Sequence, residues 1–192
     1  MTRTEIINYL IKEIKAKSYL EIGVRESKGN FDLVECEDKI AVDPVPLSAG
    51  ILPLTSDQFF EQNNSTFDLI FIDGLHEEEQ VMKDILNSLK VLNEGGYIVC
   101  HDMNPTTEEM QLVPMQTDEA WTGDCWKAWV RLRSTRKDLN MAVVDTDFGV
   151  GIIKKGTQKC LSLKDLNLSY NNLDANREEW LNLISIEQFY EL

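Results

Sequence analysis

Two pairs of residues in this chain have the types and the spacing that acid–base chemistry uses. Asp73 and His76 directly follow one short apolar run, and His101 and Asp102 close another. An imidazole can take a proton from a hydroxyl group near neutral pH. The chain has only two histidines, so each of them lies where a predicted strand ends.

Both apolar runs, 67–72 and 97–101, predict strands of a parallel sheet. They are short and rich in Ile, Val and Phe, which is typical of strands buried on both faces. In open parallel sheets, ligands bind at the carboxyl edge of the strands. Further polar residues follow β-like runs earlier in the chain: Glu21, Gly23, Asp43, Ser56 and Asp57. We therefore expect one sheet edge to gather these residues with Asp73, His101 and Asp102.

The order of the predicted elements defines the fold class. Strands are predicted at 18–23, 39–43, 51–55, 67–72, 97–101, 141–145 and 149–153, the last two as a hairpin. Helices are predicted at 4–17, 30–37, 57–60 with Ser56 as N-cap, 77–92 and 121–132. We predict an α/β, Rossmann-like, doubly wound fold with a mostly parallel seven-stranded sheet and a C-terminal antiparallel hairpin.

Length and composition favour one domain that spans residues 1–192. The chain is 43% hydrophobic and 27% charged, as expected of a globular domain large enough for a full core. Within it, 103–125 is predicted as a long loop or lid. Residues 162–192 are predicted as a helical extension.

Charge, cysteines and the N-terminus restrict partners and location. The net charge of -14 opposes nucleic-acid binding, and no apolar stretch reaches the roughly 20 residues that span a bilayer. The N-terminus lacks the basic and apolar regions of a signal peptide. The four cysteines are scattered without a CxxC pair, which favours free thiols. We expect a cytoplasmic protein that binds neither nucleic acid nor membranes.

The loop after the first predicted strand indicates a nucleoside cofactor. Its sequence from Glu21 is Glu-Ile-Gly-Val-Arg-Glu-Ser-Lys-Gly, and its glycines permit a close approach of the backbone to a ligand. It lacks the middle glycine of GxGxxG, which disfavours a dinucleotide site. Asp43 follows the second strand, where a carboxylate can accept hydrogen bonds from both ribose hydroxyls. The residues alone thus predict the cofactor class and not the reaction.

At these residues the chain resembles the class I S-adenosylmethionine-dependent methyltransferases. It is most similar to the small single-domain group whose fourth strand ends in Ile-Asp-Gly-x-His. The resemblance extends over nearly the whole chain and depends on the order of its motifs, which lie at 19–23, 41–44, 56–60, 67–76, 92–96 and 174–185.

The resemblance implies S-adenosyl-L-methionine as the cofactor and a role for each matching residue. Glu21 and Gly23 would line the methionine end. Asp43 would hold the ribose hydroxyls, and Ser56 and Asp57 would meet the adenine ring.

The resemblance also implies residues for catalysis and for a metal. In some methyltransferases of this fold, acids after the fourth and fifth strands hold a divalent cation that acidifies a substrate hydroxyl. Asp73 and Asp102, with His101 as a third candidate, match those positions and suit Mg or Mn. Alternatively, Asp73 contacts the cofactor, and His101 and Asp102 cap the next segment. His76 and His101 are the candidate general bases. The other interpretation of His76 is an exposed residue at a helix start.

The implied function is methyl transfer to a small-molecule acceptor, with oxygen as the favoured atom and a saccharide or other polar metabolite as the favoured class. The segment 103–125 follows the fifth strand, where acceptor-binding insertions occur in this fold. Trp121, Trp126 and Trp129 would belong either to the core or to a lid that stacks on a sugar. Two other functions stay open: a non-catalytic S-adenosylmethionine-binding or regulatory domain, and a nicotinamide-dependent oxidoreductase. A homo-oligomer is neither predicted nor excluded.

Overall fold

A seven-stranded sheet forms the centre of the protein. The computed structural model describes residues 1–162 and 167–192. The strands are β1 (Ser18–Ile22), β2 (Asp38–Val42), β3 (Phe67–Ile72), β4 (Leu92–Cys100), β5 (Leu139–Val144), β6 (Val150–Lys155) and β7 (Leu183–Ile184). Their order is β2-β1-β3-β4-β6-β5-β7. Strands β1 to β4 pair in parallel, and β6 is antiparallel to both β4 and β5. The predicted Rossmann-like architecture with an antiparallel hairpin is confirmed.

Helices cover both faces of this sheet. They are α1 (Arg3–Ile14), α2 (Ser56–Gln62), α3 (Glu78–Val91), α4 (Cys125–Thr135), α5 (Tyr170–Leu181) and α6 (Ile186–Phe189). Helix α1 starts at a capping box, in which the Thr2 hydroxyl accepts from the Glu5 amide and the Glu5 carboxylate accepts from the Thr2 amide. That arrangement satisfies two amides that a helix start leaves unpaired. Among the described residues, no helix has both the length and the apolar character needed to cross a bilayer.

The side chains of the central strands divide between two apolar cores, because successive residues of a strand point to opposite faces. On β3, Ile70 and Ile72 join the core beneath α3 and α4. Leu69 and Phe71 join the core beneath α1 and α6. Burial on both faces explains why residues 69–72 of this strand are continuously apolar instead of alternating.

The register of the parallel strands brings the polar residues to one edge. The last residues of the four strands are aligned side by side: Ile22, Val42, Ile72 and Cys100. The residues that follow them therefore emerge at the same level: Gly23, Asp43, Asp73 and His101. This confirms the expected gathering of polar groups at the carboxyl edge.

The predicted helix at 30–37 is wrong. The chain there forms only short 3-10 turns, Ser27–Gly29 and Phe31–Leu33. Asn30 lies between them with φ -146°, and its buried amide donates a hydrogen bond to Glu21 at 2.9 Å. This long-range hydrogen bond fixes Asn30 in a non-helical conformation, and such a tertiary contact overrides local helix propensity.

The predicted strand at 51–55 is also wrong, and a different segment supplies the seventh strand. Leu52 makes only an isolated bridge to Val42. Pro53 has no amide to donate, so the ladder cannot continue past it. The seventh strand is β7, which pairs in parallel with β5. It has two residues, and a strand this short carries no readable periodicity.

The C-terminal half differs from the sequence prediction mainly at element boundaries. The predicted helix at 121–132 begins at Cys125, and Trp126 and Trp129 are fully buried core residues. The helical extension predicted at 162–192 contains α5 and α6, but also β7 between them. Residues 163–166 of that prediction lie outside the described residues.

Candidate functional site

A cavity of about 580 Å³ opens at the carboxyl edge of β1, β2 and β3. Its wall contains five of the six predicted cofactor residues: Gly23, Asp43, Ser56, Asp57 and Asp73. His76 is also on this wall, whereas Glu21, His101 and Asp102 are not part of it. The volume is in the range of small-molecule sites. The predicted nucleoside-binding residues therefore surround one space.

Gly23 allows the loop after β1 to lie directly against the end of β3. Its φ is +93°, and a Cβ at this position would overlap the carbonyl oxygen of Asp73 and lie 2.6 Å from Gly74 Cα. Its amide donates to the Val42 carbonyl at 2.8 Å. Only glycine tolerates both the positive φ and this contact. From the sequence we expected the backbone of this loop to approach a ligand closely. The structure shows that Gly23 also brings this backbone close to the residues that follow β3.

Asp43 has the position and the free hydrogen-bonding capacity that a ribose requires. It is buried at the end of β2, and its Oδ1 accepts from the Val45 amide at 2.7 Å. Its other oxygen has no hydrogen bond within the described residues. A carboxylate fixed through one oxygen can accept from a ligand hydroxyl through the other.

Glu21 lies behind the cavity wall and ties β1 to the start of α1. It is 3% exposed, and its Oε2 accepts from the Tyr19 hydroxyl at 2.6 Å and from Asn30 Nδ2 at 2.9 Å. The Thr4 hydroxyl donates in turn to Asn30 Oδ1 at 2.6 Å. Burial raises the pKa of Glu21 to about 7, although both hydrogen bonds oppose this shift.

Replacing Glu21 by glutamine is expected to change how stability depends on pH. Because the folded pKa of about 7 lies above the ordinary value of 4.5, wild-type protein loses stability as pH rises between these values. The loss is at most about 3 kcal/mol. The neutral amide can accept the same two hydrogen bonds and escapes this loss, so Glu21→Gln should gain stability relative to wild type between pH 4.5 and pH 8. Urea unfolding of both proteins at pH 4.5 and at pH 8 measures this change. The prediction is contradicted if the difference in unfolding free energy between the two proteins is the same at both pH values.

Asp73, His76, His101 and Asp102 form one cluster at the end of the cavity. His76 Nε2 lies 3.4 Å from Asp73 Oδ1 and 3.3 Å from Asp102 Oδ2. His101 Nδ1 lies 3.5 Å and 3.1 Å from the same two oxygens. Asp102 has a left-handed backbone with φ +63°, which is uncommon outside glycine. Two carboxylates are thus placed between two imidazoles.

Arg3 and Asp147 complete the cluster around His101, and neither was predicted from the sequence. Asp147 Oδ1 lies 3.4 Å from His101 Nε2, and Oδ2 accepts from the Arg3 amide at 2.8 Å. Arg3 Nε lies 3.8 Å from Asp73 Oδ2. Asp147 lies between the two strands of the predicted hairpin, where its sequence position indicates only a turn. Arg3 has no local signal, because it reaches the site only through the packing of α1.

The charges of this cluster distinguish its two histidines. Burial would raise the pKa of Asp73, but hydrogen bonds with His101 and His76 hold it well below its ordinary range. Burial likewise opposes the charge on His101, but Asp102, Asp147 and Asp73 raise its pKa to about 11. Asp73 and Asp102 also raise the pKa of His76 against burial. His101 therefore has carboxylates near both of its nitrogens, and Arg3 Nη1 also lies 3.3 Å from its Nε2. His76 is the histidine on the cavity wall.

The segment before α4 fixes the orientation of His76. His76 Nδ1 lies 3.0 Å from the Trp121 carbonyl oxygen, so Nδ1 carries the proton and donates it. The Trp121 ring stacks on the imidazole at 5.2 Å between centroids. Gly123 has φ +57°, and a Cβ there would overlap the His76 carbonyl oxygen. His76 Nε2 is consequently the nitrogen that faces Asp73 and Asp102.

The donor atoms at this point fit a divalent cation. Asp73, His76 and Asp102 each offer one ligand atom, and these atoms lie within 4.8 Å of one another. Two carboxylate oxygens and one imidazole nitrogen suit Mg or Mn. The Trp121 carbonyl holds His76 in the tautomer that a ligand requires. The third donor beside Asp73 and Asp102 is therefore His76. From the sequence, His101 was the third candidate ligand, and His76 was predicted as a base or as an exposed residue at a helix start.

The chain is similar to known methyltransferases in part of its sequence and in its fold. Residues 42–103 match the model of a family described as a methyltransferase domain. This segment runs from the end of β2 to just past β4, so it includes Asp43, Asp73, His76 and Asp102. It covers less than half of the chain. No curated protein sequence matches the chain.

Several solved structures with this fold are methyltransferases. An O-methyltransferase from Bacillus cereus in complex with SAH has a TM-score of 0.54 at 14% identity over 82% of each chain. The O-methyltransferase TomG from Streptomyces achromogenes, involved in tomaymycin synthesis and in complex with SAM, has a TM-score of 0.55 at 13% identity over 80% of this chain and 79% of that one. The N-methyltransferase NodS from Bradyrhizobium japonicum has a TM-score of 0.51 at 15% identity over 81% and 94%. At these sequence identities, the structural similarity shows a shared fold and does not by itself show a shared function.

Proposed function

We propose that the protein is an S-adenosylmethionine-dependent methyltransferase that acts on a small-molecule acceptor. The observation that carries this proposal is the single cavity in which Gly23, Asp43 and Asp57 meet beside His76. The methyltransferase-domain match supports it. The SAM and SAH complexes of the structural neighbours support the choice of cofactor.

The cofactor would lie along the carboxyl edge of the sheet. Its methionine end would lie near Gly23 and Asp73, and Asp43 would accept from the ribose hydroxyls. Its adenine ring would lie beside Ser56 and Asp57 at the start of α2. His76 lines the same cavity and would lie on the acceptor side of the cofactor.

We assign the general base to His76. The acceptor oxygen attacks the methyl carbon in line while the carbon–sulfur bond breaks, which leaves S-adenosylhomocysteine. The acceptor proton passes to His76 Nε2, because Nδ1 already donates to Trp121. His101 would hold Asp73 and Asp102 in place without touching the reacting atoms.

The same cluster could hold a metal. Asp73, His76 and Asp102 are the residues that would bind it, and the cation would supply polarisation of an acceptor hydroxyl. His76 cannot be ligand and base in one molecule, since both roles use Nε2. Magnesium dependence of methyl transfer decides between the two roles.

We favour oxygen as the acceptor atom, carried by a saccharide or another polar metabolite. A histidine base beside two carboxylates is suited to taking the proton of a hydroxyl group. Two of the three neighbours described above are O-methyltransferases. The third is an N-methyltransferase, so amines belong in the test. A cytoplasmic location stays a prediction from the sequence.

The test is the release of S-adenosylhomocysteine from S-adenosylmethionine with panels of saccharides, phenols and amines. We expect release together with a methylated hydroxyl product. Activity that is lost in EDTA and restored by Mg assigns His76 as a ligand, and activity that is unchanged in EDTA assigns it as the base. Binding of the cofactor without turnover of any acceptor would favour a non-catalytic binding domain.

A further inference from the structure

Arg177 of α5 joins the C-terminal part of the chain to the segment that follows β4. Its Nη1 donates to the side-chain oxygen of Asn104, and to the Pro105 carbonyl oxygen at 2.7 Å. Its Nη2 donates to Asp174 Oδ1 at 2.9 Å. A guanidinium can donate in several directions at once, because its nitrogens lie in one rigid plane. The motif at 174–185, to which the proposed reaction gives no role, therefore contacts the chain just after the charged cluster.

Asn104 is 5% exposed and holds three segments together. Its Oδ1 accepts from Arg177, its Nδ2 donates to Asp145 Oδ1 at 3.0 Å, and its backbone amide donates to the Phe148 carbonyl oxygen at 2.8 Å. A Cβ on Gly149 would lie 2.4 Å from Asn104 Cβ, so the turn between β5 and β6 packs directly on this residue. Because a buried polar group that loses its partner is costly, Asn104 is fixed between this turn and α5.

Asp102 lies two residues before Asn104 and depends on the backbone between them. It is 5% exposed, and its Oδ2 lies 3.3 Å from His76 Nε2 and 3.1 Å from His101 Nδ1. Its φ of +63° is unfavourable for a residue with a side chain. Such a conformation persists only where surrounding contacts impose it. The hydrogen bonds on Asn104 and on Met103, whose amide donates to the Gly149 carbonyl oxygen at 3.0 Å, are contacts of this kind.

We propose that Arg177 is a positioning residue for the reaction. Through Asn104 and Pro105 it fixes the backbone after Asp102, and it thereby places the Asp102 carboxylate between the two imidazoles. Arg177, Asn104 and Pro105 are not among the described residues that line the cavity, so the effect reaches the reacting atoms through Asp102. The inference rests on the proposed function for its effect on turnover, and the placement of Asp102 can be measured without an acceptor.

Nuclear magnetic resonance of the histidine rings tests this placement. The chain has only two histidines, so protein labelled with ring nitrogen-15 gives two sets of signals, and His76→Gln shows which set belongs to His76. In Arg177→Gln the signals of both rings should shift, since both contact Asp102. Asp174→Asn is the matched control, because it removes the exposed partner of Arg177 and keeps the contacts with Asn104 and Pro105. Its ring signals should match wild type.

Turnover and cofactor affinity separate positioning from a merely structural role. With the acceptor found in the panel, Arg177→Gln should transfer methyl groups about 10-fold to 100-fold more slowly, because small displacements of site groups are costly to the rate. Calorimetric titration should give an affinity for S-adenosylhomocysteine within about 3-fold of wild type, since no contact of Arg177 reaches the cavity wall. Asp174→Asn should match wild type in both measurements.

The other outcomes overturn one proposal or the other. Arg177→Gln with wild-type ring signals or wild-type turnover overturns the positioning role. A loss of affinity as large as the loss of turnover also overturns it, in favour of a general structural role. If Arg177→Gln does not fold, Arg177→Lys replaces it, because lysine keeps the charge but lacks the planar set of donors. Wild-type protein that does not bind S-adenosylhomocysteine overturns the proposed function, and the ring signals still test the placement of Asp102.

Discussion

Alanine in place of Gly23 is expected to unfold the carboxyl edge of the sheet around β1 and β3, and to abolish binding of S-adenosylhomocysteine. The new Cβ would overlap the Asp73 carbonyl oxygen, and the residue would have to keep φ +93°. Overpacking and left-handed strain together should cost about 3 kcal/mol of unfolding free energy or more. The loops after β1 and β3 must separate to relieve the overlap, and both loops contribute to the cavity wall.

The matched control for this variant is Gly29→Ala, at the other end of the same loop. A Cβ at Gly29 meets no atom within 4 Å, and its φ is not positive. Its free energy of unfolding should therefore stay within about 0.5 kcal/mol of wild type. Chemical denaturation and calorimetric titration of both variants make the comparison. Gly23→Ala with wild-type stability and affinity would show that the two loops are not packed as described.

Glutamine in place of His76 is expected to slow methyl transfer by about 100-fold to 10,000-fold. The amide cannot take the acceptor proton, and it would be a poor substitute for imidazole as a metal ligand. The affinity for S-adenosylhomocysteine should change little, because the residues proposed to hold the ribose and the adenine ring are Asp43, Ser56 and Asp57. The separation of rate from affinity distinguishes a role in the reaction from a role in cofactor binding.

Glu77→Gln provides the control for His76→Gln. Glu77 is the next residue, is exposed, and its side chain does not cap α3. Its turnover and affinity should match wild type. Turnover is measured with the acceptor found in the panel, by release of S-adenosylhomocysteine. If His76→Gln methylates the acceptor at the wild-type rate, His76 is neither the general base nor a required metal ligand.

The parts of the fold that sequence could predict are those whose signal is local. The apolar run of β3 is readable from its own residues, and its predicted bounds, 67–72, are those that the structure shows. The candidate cavity was also predictable, because Asp43 and Asp73 each stand at the end of such a run. Because the parallel strands are aligned, these two residues lie at the same edge of the sheet for any conformation of the loops that follow them.

The parts that sequence could not predict depend on contacts between distant segments. Asn30 forms no helix because its amide reaches Glu21 on β1. Arg3 joins the charged cluster only because α1 packs over the edge of the sheet, and Trp121 orients His76 from 45 positions away in the chain.

Calorimetric titration of wild-type protein with S-adenosylmethionine, S-adenosylhomocysteine and NAD tests the proposed cofactor site most directly. We predict saturable binding of one molecule per chain for both sulfur compounds, and no detectable heat with NAD under the same conditions. Failure of both sulfur compounds to bind, or tighter binding of NAD, would contradict the assignment of the cavity to S-adenosylmethionine.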